Sequence, residues 1–155
     1  MANKSFAVEN PQGLTDAIFA LDEVASESVL RQAAVAGARV VMNEAKLRGP
    51  VLNNNFNGKD LGASWERYGT TYYPGFLRDH IIIAHDKEAS VPGRIASYIV
   101  TWTKEAFYGR FGEHGTSKMS AKPFLRPSYE ATKQEVAHAI DDVIQRKVTE
   151  ANHGQ

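Results

Sequence analysis

The side chains able to do chemistry in this 155-residue chain are few and poorly grouped: five histidines, eighteen carboxylates and no cysteine. Without cysteine there is no disulfide, no thiol nucleophile and no thiolate metal site. A helical metal site needs a His-x-x-x-His pair so that both rings share a face, and no such pair occurs. His80 and His85 are five apart on a strand-like run, an odd spacing that points them to opposite faces. A serine nucleophile would need a Gly-x-Ser-x-Gly elbow, which is missing. Glu113 and His114 stand side by side in a glycine-rich stretch, the residue types of a general acid–base pair, and would be the working pair of a small hydrolase. Asp141 and Asp142 fall on an expected helix with an exposed face, where solvation accounts for them. Asn3-Lys-Ser5 fits the N-glycosylation pattern, but with no apolar signal core beside it no glycan is expected. No residue is therefore assigned to catalysis, to a cofactor or to a metal, and the chain is read as a non-enzyme.

Gly109, Gly112 and Gly115 recur every three residues in the manner of a phosphate cradle. The dinucleotide fingerprint needs Gly-x-Gly-x-x-Gly between a strand and a helix, and the P-loop needs a closing Gly-Lys-Ser/Thr; neither is met. Gly109-Arg-Phe-Gly112 does match the bare Gly-x-x-Gly clamp of KH domains, which makes a KH-like nucleic-acid module the alternative reading. A KH clamp joins two helices, whereas this one follows a strand-like run and precedes Glu113.

Positioning these groups requires a scaffold that hydrophobic spacing outlines. Residues 1–13 read as a loose arm, and Leu14, Ile18 and Leu21 predict a short helix over about 14–23. A longer helix follows Ser26, a good N-cap, with Val29, Ala33, Ala36 and Val40 on one face and Leu30, Gly37 and Val41 beside them, until Gly49-Pro50 stops it. Gly37, costly inside a helix, implies close approach by another element, and core packing is favoured over a subunit contact. Residues 51–76 form an extended loop rich in Asn and Gly, whose Asn54, Phe56, Trp65, Tyr68 and Tyr72 either cover the domain's own core or order against a partner. A strand over Leu77 to His85 and another over Arg94 to Lys104, joined through Val91-Pro-Gly93, predict an antiparallel hairpin. Phe107 to Phe111 reads as a further strand or a sharp bend, and Gly112 to Lys122 as a loop. Pro127 suits the first position of a last helix with Glu130 in its opening turn and Val136, Ile140, Val143 and Lys147 along one stripe; residues from 150 on should fray. The class is α+β: one domain over 1–155 with a small antiparallel sheet packed against a long N-terminal helix and a C-terminal helix, and a long loop before the sheet.

Eighteen Lys and Arg balance eighteen Asp and Glu. A net charge of zero argues against a free-standing nucleic-acid binder and offers no polybasic membrane anchor, while leaving the chain weakly protected against self-association. No stretch approaches the ~20 apolar residues of a membrane span. The zero is a sum of unlike segments: residues 1–30 carry five acids and one base, 31–48 four bases and one acid, 104–126 five bases and two acids, 130–150 five acids and three bases.

The densest information lies between Phe107 and Pro127. Tyr108, Phe111, Glu113, Gly115 and Thr116, a short turn with Lys118 and Met119, and then Pro123, Phe124, Leu125, Arg126 and Pro127 resemble the closing motif of the gene-product-ten family of lambdoid tailed phages, the small neck and tail-completion proteins of the virion. Phe107, Arg110 and His114 fill the intervening places and are interface candidates with the rest. Pro50 and Gly75-Phe-Leu-Arg-Asp-His-Ile81 are similar to the family's helix stop and sheet-opening motif, so the likeness spans roughly residues 26–148. Some two dozen residues separate Pro50 from Gly75 where the family has only a few, Pro74 and His80 replace the usual Thr and Ser, and Ala121 stands where a Pro is common.

The resemblance implies a structural virion protein that self-associates into a ring, six-fold in this expectation. The ring would complete or terminate the tail and join it to the head, touching the tail tube protein and the neck or head-completion proteins. DNA would pass through the channel without sequence-specific binding. The resemblance further implies assembly in the host cytoplasm, localisation in the virion and no membrane. Closed rings need one patch to meet a different patch on the next copy, and the unlike charged segments supply candidates.

Overall fold

Ser26 caps the first long helix: its hydroxyl accepts from the Val29 N–H at 3.4 Å, and the helix α1 runs over Glu27–Arg48. The computed structural model describes residues 26–51 and 64–153 together with 12, 13, 15, 16, 19, 22, 55, 56, 59 and 60. Those between 12 and 22 are helical, in the region where a short helix is expected. Most of the 1–13 arm and Asn54 lie outside the described residues.

Along α1 the buried positions are Val29, Ala33, Gly37, Val41 and Ala45, a strict fourfold spacing. This stripe is rotated from the expected one, with Ala36 and Val40 only half-buried, because the second helix lies across the small residues. That helix, α4, spans Leu125–His153, roughly 43 Å at 1.5 Å per residue. A Cβ placed on Gly37 would sit 3.0 Å from Ile140 Cδ1 and 3.1 Å from Val136 Cγ1, so the glycine does serve close packing within the chain. Val143 is buried, as the expected stripe requires.

Short elements fill the chain between the two long helices. The hairpins β1 (Asn55–Phe56) with β2 (Lys59–Asp60) and β3 (Trp65–Arg67) with β4 (Thr70–Tyr72) occupy the segment expected to be a plain loop. Then follow α2 (Phe76–Asp79), β5 (Ile81–His85) and β6 (Tyr98–Trp102), a 3₁₀ turn (Lys104–Ala106) and α3 (Gly109–His114). The expected β5–β6 hairpin forms, antiparallel with Ile81 opposite Trp102 and His85 opposite Tyr98. Its first strand starts at Ile81 rather than Leu77, since Phe76 and Leu77 turn into α2 and bury against the core. All three sheets among the described residues are two-stranded.

Two further expectations change. Of the two readings of Phe107 to Phe111 the bend holds and the strand does not: Phe107 and Tyr108 form a turn that leads into α3, and Gly112 to His114 belong to α3 rather than to a loop. The cause is close packing: a Cβ on Gly109 would meet Leu77 Cδ1 at 2.8 Å and Trp102 Cδ2 at 3.0 Å, so only a glycine lets α3 settle on β6. The last helix begins at Leu125, two residues before Pro127, and no acid occupies its first turn. It also stays helical to His153, past the point where fraying is expected. The core around these elements comprises Ala45, Phe76, Leu77, Ile81, Ala106 and Phe124.

Candidate functional site

Segment 107–127 is built around one carboxylate. Glu113, near the end of α3, accepts hydrogen bonds from Phe124 N (2.7 Å) and Leu125 N (3.0 Å) on Oε2 and from Arg126 N (3.1 Å) on Oε1. The first bond inside α4 is Ser128 N to Phe124 O, which makes Phe124 the cap position. A helix start leaves four N–H groups without intrahelical partners. Here Glu113 takes three, and the fourth residue is Pro127, which has no N–H to satisfy. The expected acidic complement to the helix dipole therefore comes from another helix instead of from Glu130, whose carboxylate pairs with Lys133 at 2.6 Å. Burial pushes the Glu113 carboxyl up, but the three N–H donors, aided by His114, outweigh it and hold the group below the usual glutamate range.

Around this latch the chain is tightly drawn. Lys122 N donates to Gly112 O at 2.7 Å, and Thr116 and Met119 form an isolated bridge. Gly115 has φ +74°, and a Cβ there would lie 2.7 Å from Ala121 N and 2.9 Å from Met119 O. Phe124 is 1% exposed and tilts against Trp102 at 6.1 Å between ring centres. Ser128 and Thr132, buried below it, return their hydroxyls to the carbonyls of Phe124 and Ser128. Pro123 precedes this core, exposed at the loop's end.

The segment from Gly75 to Ile81 carries the mirror arrangement. Arg78 of α2 donates from Nε to Gly49 O at 2.6 Å and from Nη2 to Leu47 O at 3.5 Å, so it holds the carbonyl end of α1. Gly49 is buried there, and a Cβ on it would crowd Arg78 Cγ and Ala45 O, both at 3.1 Å. One cation and one anion from short elements thus pin the inner ends of the two long helices.

Aromatic residues gather between these pins. Tyr72 contacts Phe76 (4.8 Å), Tyr108 (6.2 Å) and Trp65 (6.0 Å), and Tyr73 donates to Asp79 Oδ2 at 2.8 Å. Burial, with Tyr72 and Tyr73 nearby, pushes the Tyr108 phenol up to about 12. His80 stacks on Phe76 at 3.7 Å with Nδ1 2.7 Å from the Phe76 carbonyl oxygen. Among the 51–76 aromatics, Tyr72 and Tyr73 join the core, while Tyr68 is 88% exposed with its ring under the Arg67 guanidinium at 5.0 Å. Phe56 sits in β1.

No protein-family model matches the chain, and comparisons with the curated proteins and with the solved structures find no match either. The assignment of roles rests on geometry. Glu113, Gly115, Phe124, Leu125 and Pro127 hold α3, the turn and α4 together. Phe107, Arg110, His114, Thr116, Lys118, Met119 and Arg126 are exposed around them, with the Arg110 guanidinium 4.8 Å from the Phe111 ring centre. His114 lies on the outside, next to a carboxylate already engaged by backbone. No group of three or more metal-ligating side chains exists among the described residues, nor is any helix there long and apolar enough to cross a membrane. The role of Arg78 is not legible in the sequence, where it is one charged residue three positions after Gly75, too general a signal for a cap on another helix.

Proposed function

We propose that this protein is a structural subunit of a tailed-phage virion. It forms a ring, of six copies in this reading, at the neck or head-proximal tail end, where it completes or terminates the tail and joins it to the head. The observation that supports this best is the work done by segment 107–127. Several of its residues, Glu113 and Phe124 above all, hold α3 and α4 in fixed relation, and what remains outside includes Phe107 at 50% exposure, Met119 at 45%, Arg110 and Lys118 beside neutral polar residues such as Thr116. A subunit that works by geometry needs such a rigid corner presenting a mixed surface to neighbours. The neighbours would be further copies, the tail tube protein and the neck or head-completion proteins, with DNA passing through the channel. The engagement of Glu113 by three N–H groups weighs against a Glu113–His114 hydrolase, because a capping carboxylate has little basicity left to offer.

Native mass spectrometry and negative-stain images of the purified protein, alone and with purified tails or heads, test the reading. Closed rings support it. Monomer under every condition refutes it, as does a hydrolytic activity that disappears in His114→Ala while the fold survives. Salt-dependent RNA binding by the monomer would favour the KH-like module instead.

A further inference from the structure

Resting on the ring reading, we infer that Tyr68, at the tip of the β3–β4 hairpin of one copy, seats in the cavity between the start of α1 and the turn of the β5–β6 hairpin of the next copy. Two independent properties single out the tyrosine. Among the described residues it is the one non-glycine with a left-handed φ, +53°, and at 88% it is the most exposed of the large apolar and aromatic side chains. A two-residue hairpin turn of this kind normally carries Asn, Asp or Gly at that place, so an aromatic ring there is held against backbone strain. Nothing in the described subunit offsets that strain, since the ring meets just the neighbouring Arg67 guanidinium, 5.0 Å away. Tyrosine and arginine are the side chains that most often anchor a protein interface.

The receiving cavity is distinguished by shape and lining. It has a volume of about 120 Å³ and apolar walls, Leu30 from α1 and Val91, Pro92 and Ile95 from the hairpin turn, together with His85 and Ser90. Val91 and Ile95 are exposed, so the walls reach solvent. An apolar cavity of about 150 Å³ holds a benzene ring, so a phenol suits this open one in size, with its oxygen free to bond His85 or Ser90. A second cavity, beside Ser28, Gln32, Lys147 and Glu150, is lined mainly by polar and charged side chains and offers no such walls. Charge agrees as well. Glu66, two residues before the tyrosine, and Lys87, at the cavity, are exposed and make no ion pair among the described residues, so they can pair across the contact.

Tip and cavity cannot meet within one chain. The base of the hairpin, Tyr72, packs on the core that includes Ala45, near the end of α1, whereas Glu27 and Leu30 of the cavity belong to its start. Glu27 and Ala45 are eighteen residues apart, roughly 27 Å along the helix, and the four residues from Tyr72 back to Tyr68 extend only roughly 13 Å. Knob and hole therefore lie toward opposite ends of the subunit, the unlike patches that a head-to-tail ring requires.

Tyr68→Gly separates this contact from a structural role, because its two effects run in opposite directions. In dilute solution, where the chain is monomeric, the melting temperature should rise as strain is relieved, while sedimentation equilibrium should show association weakened about tenfold or more. Val91→Trp, which crowds the cavity from an exposed position, should weaken association likewise. The chain has no cysteine, so engineered ones report without background. In an equimolar mixture of Tyr68→Cys and Ile95→Cys, a short bismaleimide should link unlike copies, and the double variant should give a ladder of linked multimers. Rings that form as well in Tyr68→Gly and Val91→Trp as in the parent overturn the inference and leave the ring reading intact. Cross-linking of Tyr68→Cys chiefly to itself, or none in assembled rings, also overturns it. A parent that stays monomeric in native mass spectrometry removes the ring reading and this contact together. A Tyr68→Gly protein that assembles normally yet no longer binds purified heads or tails would reassign the tyrosine to a neighbouring virion protein.

Discussion

Residues 107–127 and 51–74 look alike in composition: each holds three glycines, and the first has four aromatic residues against five in the second. Their structures have little in common. In 107–127 the groups find partners from distant parts of the fold: Glu113 across eleven to thirteen residues on α4, Gly109 against Leu77 and Trp102, Phe124 in the core. In 51–74 the described elements pair with themselves, β1 with β2 and β3 with β4, and only its last members, Tyr72 and Tyr73, reach the core. What separates an architectural corner from an appended hairpin is long-range hydrogen bonding and burial, not residue content.

The contrast breaks or sharpens under substitution. Phe124→Ala should have the largest effect. Removing a ring that is 1% exposed leaves a cavity and costs about 3–5 kcal/mol in a thermal or denaturant melt. A loss below 1 kcal/mol would mean that this corner is no better anchored than the hairpins.

Glu113→Gln comes next, at about 1–2 kcal/mol, the usual loss for a helix cap. The amide keeps one acceptor oxygen for three N–H groups and removes the charge that favours the positive end of α4. Acid should reproduce the effect. Because the folded carboxyl titrates below its ordinary value, ~4.3, its contribution is complete above that range and is lost as pH falls through the lowered folded value. Melts of parent and Glu113→Gln should therefore converge in acid. A difference independent of pH would show that shape, not charge, is what the cap supplies.

Tyr68→Gly should have the smallest effect and the opposite sign. Tyr68 and Gly69 form the two-residue turn of β3–β4 with φ +53° and +74°, a conformation in which a bulky side chain is strained. Because the ring is 88% exposed, replacing it forfeits little packing, and stability should rise by up to about 1 kcal/mol. Destabilisation would mean that the hairpin tip is tied to the body of the protein after all. If the same variant lost binding to heads or tails without losing stability, the strained tyrosine would be serving a contact.

The long elements could be read in advance because their causes are local. Ser26 as a cap, Gly49-Pro50 as a stop, the small residues around Gly37 and the alternation from Tyr98 to Trp102 act through neighbours a few residues away. The class, an α+β layout of two long helices with antiparallel strands, follows from those signals alone. The start of α4 escapes local rules for the inverse reason: Pro127 suggests a first position, but the decisive cap lies eleven residues upstream on another helix. Gly109, by spacing part of a possible clamp, is a packing contact in the structure, and nothing near it in sequence announces Leu77 or Trp102.

Sequence by itself determined the two long helices and the β5–β6 hairpin, which aromatic and small residues were available for a core, and that the charges fall in unlike blocks summing to zero. Only tertiary structure decided which charges are used inside the subunit and which remain outside. Arg78 and Glu113 are taken up by helix ends, and Arg110, Lys118 and Lys122 are not. That division depends on distances of a few ångströms between residues far apart in the chain, and a hydrogen bond's energy falls away too steeply over such distances for spacing alone to reveal it.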